Sequence, residues 1–277
     1  MNTKIIKLAA FSDGERGGNP AGVWIGESLP DAAVMQQIAA DVGFSETAFA
    51  APTENGWRVR YFSPLAEVPF CGHATIALGA ALAAQHGDGV YDLTLNQAQI
   101  TVEGHARGSL TSAALQSPPT FSKPINAHLL EEALALFGYT SSDLDQRITP
   151  AHINGGAGHL ILALNSRAAL KAMRYDQQAG RELMVREGWA TILLAWAETD
   201  QMFHTRNPFA FGGVYEDPAT GAATAALGGY LRDIGWPHGG LIDILQGEDI
   251  GSPSRLRAEI PEQPGSSIRV SGMARRL

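Results

Sequence analysis

The alternation and clustering of apolar positions divide this chain into short strands separated by a few helices. Ile5–Ala10 reads as a first strand, and Gly14–Pro20, glycine-rich and ending in Asn19-Pro20, as a loop. In Asp31–Val42 the apolar residues Val34, Ile38 and Val42 recur every fourth position, and Gly43 stands where a helix C-cap belongs, so a helix is expected. Phe44–Ala51 and Trp57–Ser63 follow as strands; in the second, Trp57, Val59 and Tyr61 alternate with Arg58, Arg60 and Phe62. Ala74–Gln85 is almost wholly Ala, Leu, Ile and Gly, and a helix with no polar face must be covered on all sides. Short strands are expected at Tyr91–Leu95, Gln99–Val102 and Ser109–Leu115.

Ser117-Pro118-Pro119 is the best linker candidate, which divides the chain into a half at 1–118 and a half at 119–265, with the C-terminal strand at 266–277 as a candidate member of the first. The second half opens with a helix at Ala127–Phe137. Strands are expected at His159–Leu164, Thr191–Ala197 and Gln201–Arg206, with two helical stretches between the first two of these. Ala222–Leu231 is another helix of small apolar residues, and strands at Leu241–Gln246, Arg255–Ile260 and Ser267–Val270 complete the chain.

The two apolar helices are related. A shift of 149 positions lays Glu67–Leu82 on Glu216–Leu231 without a gap, matching Glu, Pro, Gly, Ala, Thr, Ala, Leu, Gly and Leu. Alanine matches carry little weight, but the shared lead-in Glu-x-Pro-x-x-Gly points to duplication. Each half then has a glycine turn, at Gly72 and Gly221, opening a buried helix whose first-turn N–H groups favour a negative charge. Two such halves facing each other would form one cleft suited to a small dicarboxylate or an enolate.

Composition narrows the field. The 277 residues are 45% hydrophobic and 17% charged, enough apolar content for a sizeable core, and the 31 glycines fit a turn-rich, strand-rich fold. A net charge of −8 without any Lys/Arg block argues against nucleic acid or an anionic membrane as partner. The single cysteine, Cys71, excludes an intrachain disulfide and fits a reducing compartment. Met1–Ala10 carries Lys4 and Lys7 but no long apolar core, and no apolar run reaches the length of a spanning helix, so a cytoplasmic location is expected. The eight histidines show no i,i+4 pair and no His/Cys cluster, so no dedicated metal site is expected. No nucleotide-binding or nucleophile-elbow motif occurs; Gly155-Gly156-Ala157-Gly158 could be a flexible or anion-binding loop, but Leu160 and Ile161 follow it where a dinucleotide fingerprint needs a helix start.

Five segments carry the chemistry: Gly18-Asn19-Pro20, Phe44-Ser45-Glu46-Thr47, Phe62-Ser63-Pro64, Glu67-Val68-Pro69-Phe70-Cys71-Gly72-His73-Ala74-Thr75 and Glu216-Asp217-Pro218-Ala219-Thr220-Gly221. In this order they resemble the motif set of the PhzF-like phenazine-biosynthesis family, from Asn19 to about Gly251. The resemblance implies an α+β fold of the diaminopimelate epimerase type: two pseudo-symmetric halves, each a curved, mostly antiparallel sheet around a central apolar helix. It also implies a homodimer, and an isomerase working without cofactor on a small carboxylate, cyclic or hydroxylated.

On that resemblance Glu46 is the proton carrier, and burial beside Phe44 and Phe49 is expected to suit it to that task. The bland alternative is a surface Glu at a strand start. His73 is a candidate to hydrogen-bond substrate or relay a proton, or else a capping histidine. Asp217 is a candidate second acid/base, or else a plain helix N-cap. Asn19, Ser45, Gly72, Thr220, Gly221 and Ala222 are the candidate substrate-binding positions. Cys71 is matched by Thr220 in the second half, so a two-thiol mechanism is excluded, and Cys71 is read as a small buried residue. The chain departs from the family's best-known branch at Ala222, where that branch has Ser, and at Gly251-Ser252-Pro253-Ser254, where the family tends to carry Arg. Two alternatives therefore stay open: a non-catalytic metabolite binder of the same fold, and a racemase or epimerase using Glu46 and Asp217 as opposed bases.

Overall fold

The computed structural model describes residues 5–107 and 110–277, which form an α+β protein of two compact units. One unit runs to Gln116 and takes in Arg269–Leu277; the other is Ser117–Ile268.

The first unit contains β1 (Ile6–Ser12), β2 (Asn19–Ile25), α1 (Ala32–Val42), β3 (Glu46–Thr53), β4 (Gly56–Phe62), the two-residue β5 (Glu67–Val68), α2 (Gly72–His86), β6 (Gly89–Thr94), β7 (Gln99–Arg107) and β8 (Leu110–Gln116). The second contains β9 (Phe121–Pro124), α3 (Ala127–Phe137), β10 (Ala151–Asn154), β11 (Gly158–Ala163), α4 (Arg167–Lys171), α5 (Gln177–Glu187), β12 (Thr191–Ala197), β13 (Met202–Pro208), the two-residue β14 (Glu216–Asp217), α6 (Gly221–Asp233), β15 (Leu241–Gln246) and β16 (Ser254–Glu259). The last strand, β17 (Arg269–Arg276), returns to the first unit.

Strand pairing in the first unit closes on itself. The order β1-β2-β3-β4-β6-β7-β8-β17 ends with β17 hydrogen-bonded to β1, and only β2–β3 and β4–β6 are parallel. Helix α2 lies within this ring, packed on β1, β2, β3, β7, β8 and β17. Its residues from Gly72 to Ala83 are all buried, as its lack of a polar face demands. Two glycines permit the fit: a Cβ on Gly104 of β7 would lie 2.4 Å from the carbonyl oxygen of Gly79 in α2.

The second unit repeats the plan in the order β9-β10-β11-β12-β13-β15-β16, with β11–β12 and β13–β15 parallel. Helix α6, buried from Gly221 to Arg232, packs on β9, β10, β11 and β16. A separate apolar cluster under α3 and α5 includes Leu134, Phe137, Leu160, Leu162, Met184, Trp189 and Leu194.

Several elements differ from the sequence pattern. Asn19 opens β2 instead of ending a loop, because Asn19 pairs with Ala10 of β1. The strand expected from Ser109 begins at Leu110, Ser109 itself lying outside the described residues, as do Lys4 and the rest of Met1–Lys4. Gly155–Gly158 joins β10 to β11 in a hairpin, and a Cβ on Gly155 would lie 2.6 Å from the backbone nitrogen of Ala226 in α6. That segment is a packing turn against the central helix. The strands β2, β9 and β10 had no sequence expectation: β9 and β10 are only four residues each, too short to show a period. Among the described residues no helix is long and apolar enough to cross a membrane.

Candidate active site

Glu46 is the first residue of β3 and sits beside Ala21 of β2. Side chains alternate along a strand, so Glu46, Ala48 and Ala50 share the face toward α2, while Thr47 and Phe49 face α1. Phe49 indeed packs with Met35 and Ala39 of α1. The expectation that Phe49 flanks Glu46 is thus corrected: three residues apart on a strand means opposite faces. Glu46 is nonetheless only 6% exposed, which removes the surface-residue alternative.

His73 stands in the first turn of α2 with its Nε2 3.4 Å from Glu46 Oε2 and 3.3 Å from Ser45 Oγ. The Glu46 contact is close but off the hydrogen-bonding line, so the buried Oε2 has no hydrogen-bond partner among the described residues. Cys71, the N-cap of α2, places Sγ 3.3 Å from His73 Nδ1. If the thiol donates to Nδ1, the ring proton is on Nε2 and faces Ser45 and Glu46. Cys71, His73, Ser45 and Glu46 therefore form one connected group that spans β3 and the start of α2.

The backbone under this group is fixed by two residues with no sequence expectation. Thr75 Oγ1 donates to the Cys71 carbonyl at 2.7 Å and lies 2.6 Å from the Tyr61 hydroxyl. Tyr61 is fully buried, and that burial pushes its pKa up, so it stays a neutral donor. Upstream, Arg60 of β4 holds Glu67 of β5 through Nε and Nη2 at 2.7 and 2.6 Å.

The second unit carries the same device. Arg206 of β13 donates from Nε to Glu216 of β14 at 3.0 Å, with a second bond from Nη2, and both side chains are buried. The registers match: Phe62 pairs with Glu67 as Pro208 pairs with Glu216, and each Arg lies two residues before that partner. The Glu of the duplicated Glu-x-Pro-x-x-Gly lead-in is thus a tether for the approach to the helix.

Asp217, also in β14 and 5% exposed, is not the N-cap of α6; Thr220 is, three residues later. Asp217 Oδ2 accepts a hydrogen bond from Thr220 Oγ1 at 2.6 Å. Gln246, buried at the end of β15, donates from Nε2 to the Asp217 carbonyl at 2.7 Å and accepts from the Thr220 amide at 3.1 Å. It therefore sets the Asp217–Thr220 turn. The signal for it was available: in Leu241–Gln246 the buried positions are Ile242, Ile244 and then Gln246, a polar residue on an apolar period. Asn19 is 2% exposed, and Gly72, Gly221 and Ala222 are buried at the helix starts.

The duplicated registers show which chemistry was not duplicated. Ala21 pairs with Glu46, and the equivalent parallel pair is His159 with Thr191. Thr191 thus takes the place of Glu46, and its hydroxyl lies 2.8 Å from His159 Nδ1 and donates to Asn207 Oδ1 at 3.0 Å. Burial, with a smaller effect from His152, pushes the His159 pKa down to about 3, so this buried trio is neutral. Ala222 takes the place of His73 and Thr220 that of Cys71.

The architecture is shared with solved structures. A PhzF-family phenazine biosynthesis protein of Bacillus anthracis superposes with a TM-score of 0.86 at 21% identity, covering 99% of this chain and 97% of that one. A hydroxyproline epimerase of Agrobacterium vitis gives 0.67 at 13% identity, covering 100% and 91%. These likenesses define the class, a diaminopimelate epimerase-like α+β fold. Sequence carries the identification further. The trans-2,3-dihydro-3-hydroxyanthranilate isomerase of Pseudomonas aeruginosa is 30% identical over 97% of this chain and 95% of its own length. The family profile for phenazine biosynthesis-like proteins matches residues 8–276, and the chain belongs to that family, as one of its isomerases.

Proposed function

We propose that the protein isomerises a small carboxylate, cyclic or hydroxylated, by carboxylate acid/base catalysis without a cofactor, with Glu46 as the proton carrier. The observation that carries this reading is the buried Glu46 Oε2, which has no hydrogen-bond partner among the described residues and lies 3.4 Å from His73 Nε2. A structural carboxylate in such a place would be saturated with donors; one reserved for a substrate proton would not. Glu46 would take a proton from one carbon of the substrate and return it to another, so no atom is gained or lost. His73, tied to Cys71, Ser45 and Glu46, orients that carboxylate or the substrate. The N-cap side chain of α2 does not bond the first-turn amides, which leaves them to recognise an anionic group of the substrate.

Ala222 bears on the substrate. The methyl cannot supply the hydroxyl hydrogen bond that the Ser-bearing branch has, a difference on the order of 1 kcal/mol. The Pseudomonas relative acts, by its name, on trans-2,3-dihydro-3-hydroxyanthranilate, so that compound is the first to offer, followed by other hydroxy-carboxylates. Turnover in heavy water should place deuterium on carbon, and Glu46→Gln should lower turnover by about 10²–10⁴-fold. Unchanged turnover in Glu46→Gln would remove Glu46 from the mechanism. Tight binding of a carboxylate with neither product formation nor deuterium uptake would favour a non-catalytic binder instead. Inversion at a stereocentre in place of proton relocation would favour the alternative in which Glu46 and Asp217 act as opposed bases.

A further inference from the structure

We propose that Glu46, Cys71 and His73 form a binding site for a thiophilic divalent cation, zinc above all. A carboxylate oxygen, a thiol sulfur and an imidazole nitrogen from these residues all lie within 4.8 Å of one another. No other group of three such residues meets that criterion among the described residues. Local spacing could not reveal it, because Glu46 arrives from β3 while Cys71 and His73 lie at the start of α2.

The geometry fits one ion. Zinc bonds of about 2.0–2.3 Å to O, N and S place tetrahedral ligands about 3.3–3.6 Å apart. Glu46 Oε2 and His73 Nε2 are already at 3.4 Å; Cys71 Sγ lies 3.3 Å from His73 Nδ1 and 4.0 Å from Nε2, so binding one ion turns the sulfur away from Nδ1 and about half an ångström closer to Nε2. The buried Oε2 has no hydrogen bond to give up. Coordination turns the thiol into a thiolate: its proton moves to His73 Nδ1, and the Nε2 proton passes to buffer, which frees Nε2 to bind the ion. Cys71 is the N-cap of α2, where the helix favours that negative charge. One thiolate and one carboxylate then balance a 2+ charge, so no net charge is buried. The sulfur and nitrogen donors select zinc or cobalt over magnesium or calcium. With three protein ligands, the fourth position stays open to water or to a substrate carboxylate. An ion held there occupies Glu46, so the same ion is expected to inhibit proton transfer.

The test uses the full chain stripped with a chelator and does not depend on turnover. Co²⁺ titration should saturate near one ion per chain with a thiolate charge-transfer band in the near ultraviolet, and Zn²⁺ should displace it. Cys71→Ser should abolish the band and weaken Zn²⁺ binding by on the order of a hundredfold, since even outer-shell changes cost 10–100-fold. His73→Gln should also weaken binding. His105→Asn, which removes an exposed histidine between Glu103 and Asp88, should leave binding unchanged. Zn²⁺ binding retained at full strength in a folded Cys71→Ser, or lost in His105→Asn, overturns the proposal. Should Cys71→Ser not fold, the single cysteine gives a second readout: Zn²⁺ should slow alkylation of Cys71 in the unaltered protein, and an unchanged rate overturns the site.

Discussion

Replacing Glu216 by Gln removes a charge from a buried pair while keeping its shape, and the first unit supplies an internal control in Glu67→Gln. The side chains of Arg206 and Glu216 are 5% and 2% exposed, whereas those of Arg60 and Glu67 are 22% and 28% exposed. Burial alone would lower the Arg206 pKa, but the Glu216 carboxylate holds it above its usual value. Without that carboxylate, Arg206 keeps the Lys171 carbonyl at 3.1 Å for Nη1, but Nε and Nη2 face only an amide. Stranding one member of a buried pair costs about 3–5 kcal/mol; with the remaining acceptors the lower end, ~3 kcal/mol, is expected. Glu67→Gln breaks a pair that water already screens and should cost less than about 1 kcal/mol. The difference is roughly a hundredfold in unfolding equilibrium. Urea unfolding with segment-resolved hydrogen exchange would measure it, because exchange reports each unit separately. Equal losses at the two sites would refute the reasoning, since burial is the feature it rests on.

Two more predictions concern the core of each unit. His159 is pushed down to about 3 from 6.5, so an unfolded chain binds a proton there between these values that the folded chain does not. Stability should therefore be level above about pH 6.5 and fall as pH drops toward 3; His159→Asn should flatten that fall in melting temperature against pH. In the first unit, Gly104→Ala puts a methyl 2.4 Å from the α2 backbone and should cost about 1–3 kcal/mol in thermal or urea unfolding, where an ordinary exposed strand glycine would show a gain.

Much of the architecture follows from the sequence alone. A helix such as Ala74–Gln85, apolar on every side, has no stable place except inside a shell, and its second copy 149 residues on demanded a second shell. Helices with a capping glycine, α1 and α3, and short apolar strands, β12 and β15, also follow from local pattern, because neighbours in the chain carry the signal. The site residues came from motif resemblance, not from pattern: nothing local distinguishes Glu46 from a surface Glu at a strand start.

Long-range pairing decided the rest. That β17 closes the first ring between β8 and β1 rests on contacts across more than 150 residues, which no window of sequence contains. Pairing over shorter separations set the Asp217 turn through Gln246, 29 residues away, and the start of α2 through Tyr61, 14 residues from Thr75. Tertiary packing also sorted the two arginines, whose alternation in β4 and β13 gives no hint of which is buried. The meeting of Glu46 with Cys71 and His73 is of this kind. A strand puts alternate side chains on opposite faces, and only the register of β3 against its neighbours determined that Glu46 turns toward α2 while Phe49 turns away.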